Sequence, residues 1–230
     1  KIENNIEKEI DNNRFFLEYQ PVLDAKTKKI IGAEVLSRLN SENDGVLLPK
    51  SFLSAVNSVG INEKFDYYIF EKNCKWISND KKQREGYKYT INFSRSTISE
   101  PEFVKKITGI AEKYDLKFSC LAVEILEDKN IIGEAKQQMI DNLSTLKEKG
   151  ISILLDDFGK GYTSFGDLTD FDISIVKIDK SITQNAISQT GFLVLKNIIK
   201  TAKDLGFRTI CEGIETEEHK KIVVDAGCDI

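Results

Sequence analysis

The sequence predicts an α/β fold, a TIM-like (β/α)8 barrel, on three observations. Short runs rich in valine, isoleucine and leucine recur along the chain and have the character of buried strands. Most of them alternate with amphipathic segments of helical period, and such alternation is typical of parallel sheets, which close into a barrel at about eight units. The length of 230 residues and the 40% hydrophobic content suit one barrel of this kind.

The strands are assigned from short apolar runs bounded by turn residues. We predict a helical lead-in over residues 1–14 and the barrel domain over residues 15–230. Phe15–Val22 and Ile30–Leu39 are separated by a polar turn, as in a hairpin, so the first strand is expected to be antiparallel. The remaining predicted strands are Gly86–Phe93, Cys120–Leu126, Ile151–Asp157, Ile173–Asp179 and Phe207–Glu212.

The helices are assigned where apolar residues recur at helical spacing. Ser99 and Thr216 have the positions and chemistry of N-caps. The predicted helices cover Ser51–Trp76 with a break near Gly60, Pro101–Tyr114, Ile131–Lys149, Gly191–Leu205 and Thr216–Ala226. An eighth strand would begin near Ile230, so we expect that strand to be truncated. The chain begins at Lys1 rather than at a methionine, and we expect it to be part of a longer protein.

Composition argues against several functional classes. The net charge is −4 with both signs interspersed, which gives no basic surface for polymeric nucleic acid. No apolar run approaches the roughly 18 residues of a membrane span, so no direct membrane insertion of this segment is expected, although a tether elsewhere in a longer protein is compatible with this. Four widely spaced cysteines indicate reduced thiols and a cytoplasmic location. The single histidine, His219, excludes histidine-based zinc sites and triads, so any metal must be held by oxygen.

Polar residues occupy corresponding positions near the ends of six predicted strands. Side chains alternate across a strand, so these residues share the inner face of the barrel while their apolar neighbours face the outer helices. Barrel enzymes carry their active sites at this C-terminal mouth. Each residue alone is more often a surface or capping residue, and the recurrence is what favours a shared site. The set is Glu34, Asn92, Glu124, Asp156 with Asp157, Lys177 and Glu212.

This set of carboxylates and one amide would be repulsive or unsatisfied without cations. Oxygen ligands suit Mg²⁺ or Mn²⁺ rather than Zn²⁺. The adjacent carboxylates of Asp156 and Asp157 could bridge two ions about 4 Å apart, the spacing used for in-line phosphoryl displacement by water. Lys177 could steady that water or offset charge on the phosphate, and an ion pair with a neighbouring acid is an equally simple role.

Several motifs follow one another in a recognisable order. They are Glu34-Val35-Leu36-Ser37-Arg38, Asn92, Glu124-Ile125-Leu126-Glu127, Asp156-Asp157-Phe158-Gly159-Lys160-Gly161-Tyr162-Thr163-Ser164, Lys177-Ile178-Asp179 and Glu212-Gly213-Ile214-Glu215-Thr216. From about Phe16 onward the chain resembles the EAL-domain cyclic di-GMP phosphodiesterases. The resemblance implies a TIM-like barrel that hydrolyses cyclic di-GMP to linear pGpG with two Mg²⁺ or Mn²⁺ ions. The chain departs from the family at Val35, where the signature has alanine, and at His219, where glutamine is usual.

The resemblance also implies roles for individual residues. One ion would be held by Glu34, Asn92, Glu124 and Asp156, and the other by Asp156, Asp157 and Glu212. Lys177 would assist the attacking water. Glu127 would brace the loop that follows Asp157, and Glu215 would support the site from behind its ligands.

Substrate contacts and a partner are implied in the same way. Gln20, Leu36 and Arg38 resemble the family's substrate-binding residues, and an arginine such as Arg38 suits a phosphate oxygen. Taken alone, Arg38 would more often be a surface residue, and Gln20 a turn residue before Pro21. Members of the family often dimerise near the loop after the aspartate pair, so a homodimer is expected.

Two other functions fit parts of the pattern. A regulatory receptor that binds cyclic di-GMP without cleaving it would usually lack a metal ligand or the loop after the aspartate pair, and neither loss is visible in the sequence. A carboxylate-metal lyase of the enolase type would need a base opposite the metals that acts on a carbon acid. The loop after Asp157 argues against the lyase.

Overall fold

A single curled sheet organises the fold in the computed structural model, which describes residues 5–42, 44–79, 86–126, 131–159 and 165–230. Its strands are β1 (Phe15–Leu23), β2 (Ile30–Ser41), β3 (Gly45–Leu47), β4 (Lys88–Phe93), β5 (Leu121–Ile125), β6 (Ser152–Phe158), β7 (Ile175–Ile178) and β8 (Arg208–Cys211). The described helices are α1 (Ile6–Asp11), α2 (Pro49–Val59), α3 (Asn62–Ser78), α4 (Arg95–Ile98), α5 (Phe103–Lys113), α6 (Gly133–Glu148), α7 (Phe165–Asp170), α8 (Lys180–Asn185), α9 (Gln189–Asp204) and α10 (Glu217–Ala226).

The sheet has the strand order β1-β2-β4-β5-β6-β7-β8, with β3 paired to β2. The pairs β1/β2 and β2/β3 are antiparallel, and all the other pairs are parallel. The predicted TIM-like α/β barrel with an antiparallel first strand is therefore confirmed. Strand β3 was not predicted, because three residues offer too little pattern to separate a strand from a loop.

The two edges of the sheet, β1 and β8, are connected through the last two residues. The amide of Ile230 donates to the Thr209 carbonyl at 3.1 Å, and the amide of Cys211 donates to the Ile230 carbonyl at 3.2 Å. On the other side, the amide of Ala25 donates to the Asp229 carbonyl at 3.1 Å. Residues 229–230 thus lie between β8 and the turn after β1. This is where we expect the last strand of the barrel, which would follow α10, to begin.

Successive side chains along each strand face two different apolar layers, as the period-two pattern predicts. Outward-facing residues such as Val35, Val123 and Leu155 belong to the large core shared with the helices. Inward-facing residues form a separate small cluster inside the barrel: Ala122, Leu154 and Ile175, with Ile210 and Ile230 packed against them. The next inward position on each of these strands is at the C-terminal mouth.

Two of the predicted helix caps have different outcomes. Thr216 caps α10, where its Oγ1 accepts from the amide of His219 at 3.1 Å. Ser99 does not cap a following helix. It ends the short helix α4 instead, and its Oγ donates to the Arg95 carbonyl at 2.8 Å. Helix α5 begins at Phe103, two residues later than predicted, because residues 99–102 form a turn between α4 and α5.

The expectations about membrane spans and cysteines can be compared with the described residues. No helix in the described ranges combines the length and the apolar character required to cross a bilayer. The cysteine residues Cys74, Cys120, Cys211 and Cys228 have free thiols.

Candidate active site

Lys177 lies at the centre of four carboxylates that come from four different parts of the sheet. Its Nζ is 3.1 Å from Glu34 Oε2, 2.8 Å from Glu212 Oε1 and 3.1 Å from Asp156 Oδ1, and it donates a hydrogen bond to Glu124 Oε1. The Lys177 side chain is 5% exposed. The convergence follows from parallel strands that end at the same mouth, each with a polar residue at an inward position.

Asn92 joins this group from β4. Its Nδ2 lies 3.4 Å from Glu34 Oε1, and in the register of the sheet Asn92 pairs with Glu124 on β5. The amide and the two carboxylates therefore form one continuous polar surface across the neighbouring strands β2, β4 and β5.

A bulge turns the two adjacent aspartates toward one another. Consecutive strand residues point to opposite faces, so a regular β6 would send Asp157 away from Asp156. The β6/β7 register instead shifts between Leu155 and Phe158, and Asp157 has a φ of 51°, in the left-handed region that aspartate tolerates better than most residues. As a result, one carboxylate oxygen each from Asp156, Asp157 and Glu212 lie within 4.8 Å of one another.

Glu124 is the most deeply buried acid of the group. Its side chain is fully buried, and its Oε2 has no hydrogen-bond partner among the described residues. Burial raises the pKa of Glu124 well above its usual range, and Glu34 and Asp156 add to that rise while Lys177 opposes it. A buried carboxylate oxygen without a donor calls for a partner, which a cation would provide.

The pKa values of Lys177 and Glu212 are shifted by burial and by the neighbouring charged groups. Burial would lower the pKa of Lys177, but the surrounding carboxylates, Glu124 foremost, raise it well above its usual range. Burial also raises the pKa of Glu212, with further contributions from Asp156 and Glu34 and an opposing one from Lys177. One ammonium is therefore too little positive charge for this set of acids.

A cleft of about 850 Å³ adjoins part of this group, with Glu34, Glu124, Lys177 and Glu212 among its lining residues and Asp156 outside them. Residues of both sheet edges line it, Gln20 to Leu23 from β1 and Ile210 and Cys211 from β8, so the cleft extends into the seam between the edges. Its polar lining includes Gln20, Glu34, Glu124, Lys177, Glu212 and Glu215. This volume falls within the range of small-molecule sites.

The β1/β2 hairpin continues the site beyond the barrel. Strand β2 pairs with β4 only from Gly32 to Val35, so its later residues form a ribbon with β1. Residues two apart share a face, which places Leu36 and Arg38 in line with Glu34, and the register places Gln20 directly beside Glu34. The three predicted substrate contacts therefore lie on one face that adjoins the carboxylates.

The two predicted supporting residues have different outcomes. Glu215 is exposed in the loop after β8, where its Oε1 accepts from Gln184 Nε2 at 3.4 Å. Glu127 lies outside the described residues, as do residues 160–164 of the loop after the aspartate pair. Its bracing role, and the homodimer expected near that loop, stay predictions.

Sequence reasoning missed the buried acid that fixes the end of β4. Asp66 of α3 accepts from the Ser94 amide at 3.0 Å, from Ser94 Oγ at 2.7 Å and from Thr97 Oγ1 at 2.6 Å. These bonds tie α3 to the turn that follows Asn92. The available signal was a single aspartate on the apolar face of a predicted helix.

The chemistry of these acidic and amide side chains suits the binding of divalent cations. All the candidate ligands are oxygens. Two buried carboxylate oxygens, Glu124 Oε2 and Asp156 Oδ1, have no hydrogen-bond partner among the described residues, and three acids place oxygens within 4.8 Å of one another. Residues 3–230 match the family model described as the EAL domain. The chain belongs to the EAL domain family.

Similar proteins cover nearly the whole of this EAL domain. It is 27% identical over 227 residues to the cyclic di-GMP phosphodiesterase PdeF of Escherichia coli K12, an alignment with 98% of this chain and 30% of PdeF. It is 28% identical over 222 residues to the cyclic di-GMP phosphodiesterase RocR of Pseudomonas aeruginosa, with 96% of this chain and 56% of RocR. The chain thus spans 30% of PdeF and 56% of RocR, less than two thirds of the length of either relative.

A solved structure shares the fold. The EAL enzyme Bd1971, in a form with cAMP and cyclic di-GMP bound, superposes with a TM-score of 0.88 at 27% identity, and the alignment covers 99% of this chain and 62% of that one. This similarity supports the incomplete TIM-like barrel described above.

Proposed function

We propose that this EAL domain is a phosphodiesterase that hydrolyses cyclic di-GMP to linear pGpG with the help of two divalent cations, Mg²⁺ or Mn²⁺. One observation carries the proposal: Glu34, Glu124, Asp156 and Glu212 converge on Lys177 at the barrel mouth. A cleft lined by Glu34, Glu124, Lys177 and Glu212 adjoins them. The names of PdeF and RocR support the same substrate and reaction class.

The metal ligands are proposed from the donor set. One cation would be held by Glu34, Asn92, Glu124 and Asp156, and the other by Asp156, Asp157 and Glu212. The free Oε2 of Glu124 and the three oxygens contributed by Asp156, Asp157 and Glu212 support this division. Bound cations of this kind supply Lewis-acid polarisation of the phosphate and an acidified water.

Lys177 is proposed to position the acids and to orient the attacking water. An ammonium that contacts three carboxylates on strands and a fourth directly after β8 fixes their spacing before any ligand arrives. Its three N–H donors can be shared between carboxylates and a water molecule in the cleft. Preorganised charge of this sort is most effective in a site from which bulk water is largely excluded.

The β1/β2 ribbon is proposed to hold the dinucleotide. Arg38 presents a fork of donors that matches phosphate oxygens, Gln20 offers an amide beside Glu34, and Leu36 offers apolar surface between them. This arrangement would place a phosphodiester across the line of carboxylates while the rest of the ligand follows the ribbon.

The proposal is tested by turnover. Purified protein with Mg²⁺ or Mn²⁺ and cyclic di-GMP is expected to release pGpG, separated and quantified by chromatography. Asp156→Ala removes an acid assigned to both cations and is expected to abolish product formation. Glu102→Gln, which removes an exposed carboxylate paired with Lys105 on a remote helix turn, is the matched control and should leave turnover unchanged.

The contrary outcomes are distinct. Tight binding of cyclic di-GMP by metal-loaded wild-type protein, with no product over hours, would identify a receptor rather than an enzyme. Equal turnover by wild type and Asp156→Ala would mean that the carboxylate cluster is not the catalytic centre.

A further inference from the structure

The proposed phosphate-binding arginine already has an anionic partner. Arg38 Nε lies 2.8 Å from Glu18 Oε2, and Arg38 Nη1 donates to the Ser37 carbonyl at 2.9 Å. The two side chains differ in exposure: Arg38 is 12% exposed and Glu18 is 52% exposed. The arginine is thus held close to the ribbon, whereas the glutamate reaches it from solvent.

Glu18 lies on the same face of the ribbon as the proposed substrate contacts. In the β1/β2 register Glu18 is opposite Leu36, and its neighbour two residues on, Gln20, is opposite Glu34. The Glu18 carboxylate therefore lies beside the path that leads from Arg38 to the carboxylate cluster. A dinucleotide that follows this face has to pass it.

A carboxylate and a phosphate oxygen are alternative partners for one guanidinium. Both accept the same fork of N–H donors, and both carry negative charge, so a phosphate that approaches Arg38 is repelled by Glu18 until the glutamate moves away. The Glu18 side of the pair is half-exposed, and ion pairs at the surface are weak, so a phosphate can displace Glu18 at some cost in affinity.

We propose that Glu18 sets the affinity for the anionic substrate by competing with its phosphate for Arg38. This inference rests on the proposed function, since it takes cyclic di-GMP as the ligand that Arg38 contacts. It makes Glu18 a residue that determines apparent affinity without touching the reacting atoms. The contrary possibility, that Glu18 orients Arg38 for the substrate, predicts the opposite sign, and the Ser37 carbonyl together with the low exposure of Arg38 already restrains the guanidinium.

The test separates KM from kcat. Glu18→Gln keeps the shape of the side chain and removes its charge, and it is expected to lower the KM for cyclic di-GMP by about threefold, the size expected when one exposed ion pair no longer opposes binding, with kcat unchanged. The difference between Glu18→Gln and wild type should shrink as salt is raised, because exposed charges are screened. Glu102→Gln again provides a matched loss of one exposed, paired carboxylate and should leave KM unchanged.

A second set of variants, made in an Arg38→Met protein, tests whether Arg38 is the group for which the two anions compete. In an Arg38→Met protein, adding Glu18→Gln is expected to change KM little, because the guanidinium for which the two anions compete is gone. Glu18→Ala should shift KM in the same direction as Glu18→Gln, which guards against an effect of the glutamine itself. Because Glu18 is half-exposed, its variants are expected to fold, and an unchanged thermal unfolding transition checks this.

The failures of the two proposals can be told apart. A KM that is unchanged or raised in Glu18→Gln, in a wild-type protein that hydrolyses cyclic di-GMP, overturns the competition and leaves the proposed function intact. A similar fall in KM on the Arg38→Met background also overturns it, since the effect would then be general charge repulsion. A wild-type protein that neither binds nor hydrolyses the dinucleotide overturns both.

Discussion

At the scale of single residues, Asp157 shows how a backbone conformation brings three carboxylates together. Its φ of 51° and the adjoining register shift bring its carboxylate to the side of Asp156 and Glu212. Left-handed backbone is costly for most side chains, and aspartate and asparagine bear that cost best. Residue 157 therefore has two separable requirements, a tolerated conformation and a negative charge.

Substitutions at Asp157 can separate these requirements. Asp157→Asn keeps the tolerated conformation and loses the charge, so the free energy of unfolding should stay close to the wild-type value. Phosphodiesterase activity should fall about 100-fold or more, as when one preorganised charge-stabilising group is removed from an active site. Asp157→Val should lose activity and also about 1–2 kcal/mol of stability, because a β-branched residue is forced into left-handed backbone.

Urea unfolding and turnover assays together check this prediction. If Asp157→Asn were as active as wild type, the charge would be dispensable and the second proposed cation would lose a ligand. If Asp157→Val unfolded at the same urea concentration as Asp157→Asn, the bend at residue 157 would not be a constraint on sequence.

The sequence allowed most of the site to be predicted, for a local reason. Period-two alternation, read from the apolar residues Ala122, Leu154 and Ile175, correctly indicates that the residues two places on face the barrel mouth. The same rule fails for Asp157, because it assigns adjacent residues to opposite faces and cannot foresee a bulge. The Glu18–Arg38 pair was also missed, since the contact depends on register between two strands rather than on spacing within one.

At the scale of elements, the close approach of β2 to β4 requires a glycine, Gly32, which has no side chain. Gly32 is paired with Lys88, and a Cβ on Gly32 would lie 2.1 Å from the Lys88 carbonyl oxygen. That contact involves backbone rather than a flexible side chain, so it can be relieved only by moving the strands apart. Glu34 is two residues further along the same strand, which links this packing to the site.

Gly32→Ala is expected to destabilise the protein by about 2 kcal/mol, in the range for overpacked interiors. It should also reduce activity by displacing Glu34. The control is Gly109→Ala in α5, where a Cβ meets nothing within 4 Å. That substitution should stabilise the protein by about 0.5–1 kcal/mol, because alanine favours helix over glycine. Denaturant midpoints measure both, and equal midpoints for Gly32→Ala and wild type would contradict the argument.

Elements differ in how well the sequence predicts them. The long helices α6 and α9 were predicted because each carries many residues of one period, and the short buried strands were predicted as apolar runs between helices. The short elements β3, α4, α7 and α8 have neither signal, since they are too short to show a period and do not form long apolar runs. Helix α4 also explains the wrong cap at Ser99, because the turn after Asn92 is shaped by the contact of Ser94 with Asp66 on a distant helix.

At the scale of the whole molecule, the excess negative charge is concentrated at the barrel mouth. Four carboxylates (Glu34, Glu124, Asp156 and Glu212) surround the Lys177 ammonium, and Asp157 lies close to two of them. These six side chains carry a formal charge of −4, equal to the net charge of the whole chain. The rest of the chain is balanced. Repulsion among these acids opposes closure of the sheet, because they are delivered by β2, β5, β6 and the end of β8.

Divalent cations should therefore stabilise the entire fold and not only the site. A ligand that binds the folded state alone adds about 2.7 kcal/mol to the free energy of unfolding at 100 times its Kd. For a chain of this length we expect Mg²⁺ or Mn²⁺ at that excess to raise Tm by roughly 5–10 °C, and EDTA to reverse the rise.

Calorimetry in NaCl of matched ionic strength separates specific binding from screening, because monovalent salt weakens the repulsion without occupying the oxygens. Asp156→Ala, which removes a ligand assigned to both cations, should shift by less than half as much. A Tm that is the same in EDTA and in saturating Mg²⁺ and Mn²⁺ would show that Lys177 alone compensates these acids, and the assignment of a dinuclear centre would then fail.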